Sequence, residues 1–288
     1  MKKICLAVVL MLCLPRLALA IDAGKANGLL TVGKEKIKLT HAYAHRYNNE
    51  EGLGDGPELR ILLTDRELPV TVLAGFEGPR TLDDMARQGK VRGILLKLDP
   101  RKPLDHMHGT VLVPPSDPQA SLIFFTSSGN DELKGLKVDA LRVSGELQYS
   151  SDNKSFADLP PYSCDATFSA PLFHDEPLTA KLSGRAAIIS PQAQALKAYI
   201  AALGRGDLEA ARKLATENNW TELEAYKKKV SDEEFRKMLK SEGSSAAEID
   251  RQISRVFVRG SHATIVLKGQ GSTSVQSLVK QGGEWKVN

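Results

Sequence analysis

The sequence predicts two parts of different class: an all-β sandwich or barrel, then an α+β cone in which helices pack on a curved antiparallel sheet. Three observations predict this. From Asn27 to about Ile189, apolar residues alternate in short runs separated by Gly- and Pro-rich turns. At Ser190-Pro191 the apolar spacing changes to three and four. After Gly243-Ser244-Ser245 it returns to two. A period of two marks half-buried strands, and a period near 3.6 marks amphipathic helices.

The elements follow in order. Residues 1–20 read as a secretory signal peptide. Lys2 and Lys3 precede an apolar run from Ile4 to Leu14, and Ala18-Leu19-Ala20 closes with small residues. The mature chain is expected to begin at Ile21 and to be periplasmic or secreted. The run is too short to span a bilayer, which takes about 20 apolar residues. Neither Cys5 nor Cys13 follows a small residue in the way lipid attachment requires.

The β-rich part, residues 21–189, opens with a hairpin. Leu29 to Val32 and Lys36 to Leu39 flank Gly33-Lys34, and a glycine supplies the backbone freedom of a tight turn. Further strands are read at Leu59–Thr64, Val91–Leu98, Thr110–Val113, Leu122–Thr126, Leu141–Tyr149, Ala166–Ala170 and Leu178–Ile189. One helix is read at Thr81–Gln88, with Thr81 as its cap. Many short strands between such turns indicate a sandwich or barrel.

In the C-terminal part, residues 190–288, Leu196, Tyr199, Ile200 and Leu203 form one helical stripe. Gly204 and Gly206 end that helix, and Asp207 caps the next, Leu208 to Ala215. A third helical stretch runs from Thr221 to Val230. Ser231 and Glu234 then form a capping box before Phe235. Ile253–Val258, Ala263–Leu267, Ser274–Val279 and Trp285–Val287 read as an antiparallel meander.

This order of helices and strands resembles the small cone-shaped domains of the nuclear transport factor two-like superfamily, closest to its exported bacterial members of unknown function. The resemblance rests on Leu196 to Leu203, Gly206 to Ala211, Val256 to Gly260, Ala263 to Leu267 and Leu278 to Val287. It implies helices over one face of a curved sheet, with a pocket between them. Some members use that pocket catalytically through Asp and His side chains, and others only bind. Fold alone does not choose. The β-rich part resembles no family.

If the pocket is hollow, its walls are expected from Tyr199, Ile200, Leu203, Val256, Val258, Ile265, Leu267 and Trp285. These are apolar apart from one phenol and one indole. They offer no pair for general acid–base work. Equally, they read as the filling of a solid core.

Charge and cysteine content narrow the classes. Without the signal, the chain carries 36 basic and 35 acidic residues. That is no electrostatic footprint for nucleic acid. From Pro191 onward there are 16 Lys and Arg against 12 Asp and Glu, and from Ile21 to Ser190 there are 20 against 23. Cleavage leaves one cysteine, Cys164, so no intrachain disulfide forms. It alternates with Tyr162, Ala166 and Phe168 and is expected to be a buried, inert thiol.

The histidines carry the alternative reading, a divergent hydrolase of the β-rich part, metal-dependent or pocket-based. His41 and His45 lie four apart in a strand, about 13 Å from each other at about 3.3 Å per residue. His106 and His108 stand about 6.6 Å apart if extended. In a loop His106 and His108 would converge, with Asp105 nearby; solvated or structurally hydrogen-bonded histidines are the expected state, with no metal site and no cofactor. His174 completes the set to test for convergence on a carboxylate. Gly52 to Gly56 precedes Pro57 and a strand, so it reads as a turn and not a phosphate loop. No Gly-x-Ser-x-Gly elbow occurs. Asn153-Lys154-Ser155 and Asn219-Trp220-Thr221 fit the glycosylation triplet. The leading reading is an exported, non-enzymatic binding protein for an envelope or protein partner or a small apolar ligand.

Overall fold

In the computed structural model, residues 24–54, 56–115, 121–151, 160–246, 248–269 and 271–288 are described, without the side chains of 242–246. The signal segment 1–20, Ile21 and the Asn153 triplet lie outside the described residues. The chain divides into two units, Met1–Asp175 and Glu176–Asn288.

In the first unit, Gly33 turns the chain between β1 (Gly24–Val32) and β2 (Glu35–Tyr47) at φ 58°. That left-handed conformation costs glycine little. Then come β3 (Glu58–Thr64), β4 (Gly93–Leu98), β5 (Met107–Leu112), β6 (Ile123–Ser127), β7 (Leu133–Val138), β8 (Arg142–Ser151) and β9 (Tyr162–His174). They form one nine-stranded sheet in the order β6-β5-β4-β3-β2-β1-β9-β8-β7. The pairings are antiparallel, except that the end of β2 runs parallel to β9 from Ala44↔Leu172 to Arg46↔His174.

This sheet curls into a half-barrel. Of the two expected alternatives, the two-sheet sandwich therefore gives way to a single curled sheet. The Phe125 ring of β6 stacks 4.2 Å from the Tyr149 ring of β8 and 5.8 Å from the Tyr162 ring of β9. Strands far apart in the sheet thus meet across one core. Gly109 makes room for this, because a Cβ there would lie 2.0 Å from the Phe125 ring.

One face of the sheet buries Leu30, Leu39, Ile61, Ile94, Leu147 and Cys164 in a single cluster. The other face carries Tyr43, Leu62 and Leu95, covered by Leu82 and Ala86 of α1 (Gly78–Arg87). Strands covered on both faces lose strict alternation, which is why Leu59 to Leu63 is an almost continuous apolar run. Helix α1 begins earlier than the sequence reading places it. Pro79 sits in its first turn, and the Thr81 hydroxyl donates to the Glu77 carbonyl instead of capping.

Strand β7 is absent from the sequence reading. Its Lys134 and Lys137 face solvent, and a bulge at Gly135 (φ 58°) interrupts its register with β8. Cys164 sits on β9 between buried Tyr162 and Ala166, 2 % exposed. Burial pushes its thiol up to about 12.

The second unit begins before the expected boundary. The stretch read as a strand from Leu178 to Ile189 is β10 (Ala180–Ser183) followed by α2 (Gly184–Ile188). Strand β10 pairs with β11 (Ile253–Arg259), so these residues belong to the second sheet. That sheet continues through β12 (His262–Lys268), β13 (Thr273–Gln281) and β14 (Glu284–Val287), all antiparallel.

Between β10 and β11 lie α3 (Pro191–Gly204), α4 (Leu208–Leu214), α5 (Glu217–Lys229), α6 (Asp232–Ala246) and α7 (Ile249–Gln252) beyond α2. Ser190 accepts from the Ala193 N–H, Asp207 from Ala210 and Thr216 from Asn219, each capping a helix. Ser231 and Glu234 exchange bonds as a capping box. Helix α3 lies on β11, β12 and β14. No helix among the described residues is long and apolar enough to cross a membrane.

Candidate functional site

Two places collect the groups that carry chemistry, one in each unit. In the first unit, Arg60 interrupts the apolar run of β3 and is 1 % exposed. Its Nε donates to Glu58 Oε2 at 2.7 Å, and its Nη1 donates to the carbonyls of Leu73 (2.7 Å) and Gly75. Its guanidinium carbon lies 4.4 Å from the centre of the Tyr47 ring. Burial, then the Glu51 carboxylate, raises the Tyr47 phenol above its ordinary range, and Arg60 opposes this. The phenol donates to Asn49 Oδ1. Asn49 holds φ 52° and also accepts from the Leu53 N–H.

Beside Arg60 on the neighbouring strand, His45 Nε2 donates to Asp175 Oδ1 at 2.9 Å. The same oxygen accepts from the Gly75 N–H at 2.8 Å. Arg60 and Asp175 therefore hold the same Leu73–Gly75 segment from two sides. The side chains of His45 and Asp175 are 2 % and 4 % exposed. A pair so enclosed has fold groups as partners, and a general base needs reach to a substrate proton.

The five histidines do not converge. Among the described residues, His45 alone of the five meets a buried carboxylate. His41 Nδ1 contacts Thr40 Oγ1, and His106, His108 and His174 are exposed. Among the described residues, no three His, Cys, Asp or Glu are grouped to hold a metal. Sequence reasoning missed Arg60 and Asp175. A charged residue inside Leu59-Arg60-Ile61-Leu62-Leu63 was the available signal for the first. Asp175 lies 130 positions from His45 and gave none.

In the second unit, the residues expected to line a cone pocket are packed together. Tyr199, Ile200, Leu203, Val256, Val258 and Ile265 are buried in one apolar cluster, with Leu267 and Trp285 half-buried against it. The Tyr199 hydroxyl donates to Asn219 Oδ1 at 2.8 Å.

A groove of about 380 Å³ lies elsewhere, between α4, α5 and α6. It is lined by Leu208, Trp220, Leu223, Glu224, Lys227, Lys228 and Phe235. Five of these fall on α5 at spacings of three, four, seven and eight, which places them on one face. Trp220 and Phe235 are buried beneath it, Leu223 and Leu208 are half-buried, and the lysines are exposed.

The Trp220 Nε1–H donates to Glu224 Oε1 at 2.8 Å. That bond satisfies the indole and engages one oxygen of the Glu224 carboxylate, the one carboxylate of the lining among the described residues. The Arg212 guanidinium lies 5.9 Å from the Trp220 ring, and Lys227 Nζ lies 5.6 Å from the Phe235 ring. Helix α5 is held at its start by Thr216, whose N–H donates to Val287 O and whose hydroxyl donates to Asn288 Oδ1. The sequence reading began this helix at Thr221, so Trp220 was not counted in its period. Compared with family models, curated proteins and solved structures, the chain matches none.

Proposed function

We propose that this chain is an exported protein that acts by binding, and that a small apolar ligand occupies the groove between α4, α5 and α6. One observation carries the reading: Trp220, Phe235, Leu208 and Leu223 line a concavity of about 380 Å³. Small-molecule sites run from about 300 to 1,000 Å³, with mostly apolar walls and a few polar groups. The polar groups here are two ammoniums and a carboxylate engaged by Trp220. That set offers attraction and orientation to a ligand, and no oriented base beside a nucleophile.

The second unit is read as a binding variant of the nuclear transport factor two-like scaffold that its sequence resembles, on Leu196 to Leu203, Gly206 to Ala211 and Leu278 to Val287. Export rests on Lys2-Lys3, the apolar run and Ala18-Leu19-Ala20, and Ile21 as the N-terminus of secreted protein checks it.

The groove is tested with a neutral apolar dye, N-phenyl-1-naphthylamine, on the mature full-length chain. Saturable enhancement of its fluorescence is expected. Leu223→Arg places a charge in the half-buried wall, and it is expected to weaken dye binding by about tenfold or more, a loss of about 1.4 kcal/mol, with an unchanged circular dichroism spectrum. Dye binding that ignores Leu223→Arg contradicts the reading.

A further inference from the structure

We infer that the ligand of the α4–α5–α6 groove is a single-chain amphiphile with an anionic head, a long-chain carboxylate, whose head is held by Lys227 and Lys228. This rests on the reading of the groove as an apolar ligand site. Lys227 and Lys228 follow Trp220 and Leu223 on the same face of α5. Trp220 is seven and eight residues before Lys227 and Lys228, so their Cα atoms are about 10–12 Å apart along the helix axis at 1.5 Å per residue. Apolar Leu208, Trp220, Leu223 and Phe235 share the lining with the two lysines and Glu224. A ligand that matches both has an apolar chain and a charged end.

The sign of that end follows from the groups around the lysines. Glu224, the carboxylate of the lining, accepts from Trp220. Glu234 is turned back onto Ser231, where it accepts from both the N–H and the hydroxyl. Among the described residues, neither Lys227 nor Lys228 is in an ion pair. Lys227 lies over the Phe235 ring, so its ammonium is drawn to the apolar floor. The second unit as a whole carries 18 Lys and Arg against 13 Asp and Glu. This background favours an anion over a cation at its surface. One groove of about 380 Å³ suits one chain, not the two of a bilayer phospholipid.

The test is displacement of bound N-phenyl-1-naphthylamine from the mature full-length chain by dodecanoate and by dodecanol, which share a chain length and differ in the head. Dodecanoate is expected to displace the dye at about tenfold lower concentration, as two exposed charge contacts together allow. The double variant Lys227→Gln/Lys228→Gln is expected to remove that advantage and leave dodecanol unchanged. High salt is expected to act in the same direction as the double variant. Equal displacement by the two compounds, with the dye still bound, overturns the anionic head and leaves the groove reading intact. Failure of the dye itself to bind overturns both. Sedimentation with anionic phospholipid vesicles without displacement by dodecanoate also overturns the proposal, since the lysines then serve a membrane surface.

Discussion

Arg60, His45 and Asp175 of the first unit are 1–4 % exposed in their side chains, and their polar atoms bind strands and the Leu73–Gly75 segment. Lys227, Lys228 and Glu224 of the second unit stand exposed around buried Trp220 and Phe235. The first arrangement resembles an active centre in its inventory: an imidazole on a carboxylate, a guanidinium and a phenol raised by burial. It is closed on itself. The second has a plainer inventory but presents apolar surface and charge to the outside. The difference teaches that access and commitment decide a site, and titratable groups alone do not. A buried charge bonded on several sides is part of the scaffold.

The sharpest way to break this comparison is to remove Arg60. Arg60→Ala leaves Glu58 without its closest cation and frees the Leu73 and Gly75 carbonyls. Breaking a buried pair from one side costs about 3–5 kcal/mol, so urea unfolding is expected to show a loss of that order in the first unit. Dye binding to the second unit is expected to survive under native conditions. If Arg60→Ala leaves stability unchanged and abolishes binding, the roles assigned to the two places are reversed.

A smaller effect is expected from Thr216→Ala, which removes the α5 cap and the bond to Asn288. Loss of a cap costs about 1 kcal/mol. Because Thr216 fixes the start of the helix that carries Trp220, dye affinity is expected to fall modestly with it. An unchanged affinity would separate the helix anchor from the groove.

The smallest effect concerns Cys164. Its folded thiol is raised to about 12 from an ordinary value of 9.0. An unfolded thiol therefore ionises while the folded one does not, so the stability contributed by burial is full below about pH 9 and is lost as pH rises toward about 12. Comparing wild type with Cys164→Ala by urea unfolding at rising pH isolates this slope. The native thiol is also expected to ignore a disulfide reagent that labels it after unfolding.

Much of the fold was legible wherever one face of an element is buried. The alternation of Tyr162, Cys164, Ala166 and Phe168, the Asp207 cap and the Ser231–Glu234 box all appear as the sequence indicates. Strand β7 was not legible, because solvated lysines and a bulge erase its period. The true start of α5 was hidden in Thr216-Glu217-Asn218-Asn219, a polar run whose cap is visible only once Thr216 meets Asn219. The strand–helix turn at Ser183–Gly184 broke an apolar run that reads as one strand. The groove was partly legible: Leu223 and Lys227 have helical spacing within the stretch read as a helix, but which helices face one another is a tertiary fact. The Arg60 cluster joins residues from 45 to 175, and no local pattern carries a separation that long.

The chain has two tryptophans, and they report on the two alternatives in its second unit. Trp220 lines the α4–α5–α6 groove, and Trp285 packs against the core where a cone pocket was expected. The most direct measurement is therefore an NMR spectrum of indole-labelled protein, with the two indole N–H signals assigned by Trp285→Phe and titrated with N-phenyl-1-naphthylamine. The Trp220 signal is expected to move saturably while the Trp285 signal holds its position. Movement of Trp285 with Trp220 unmoved would place the ligand in the cone and contradict the account.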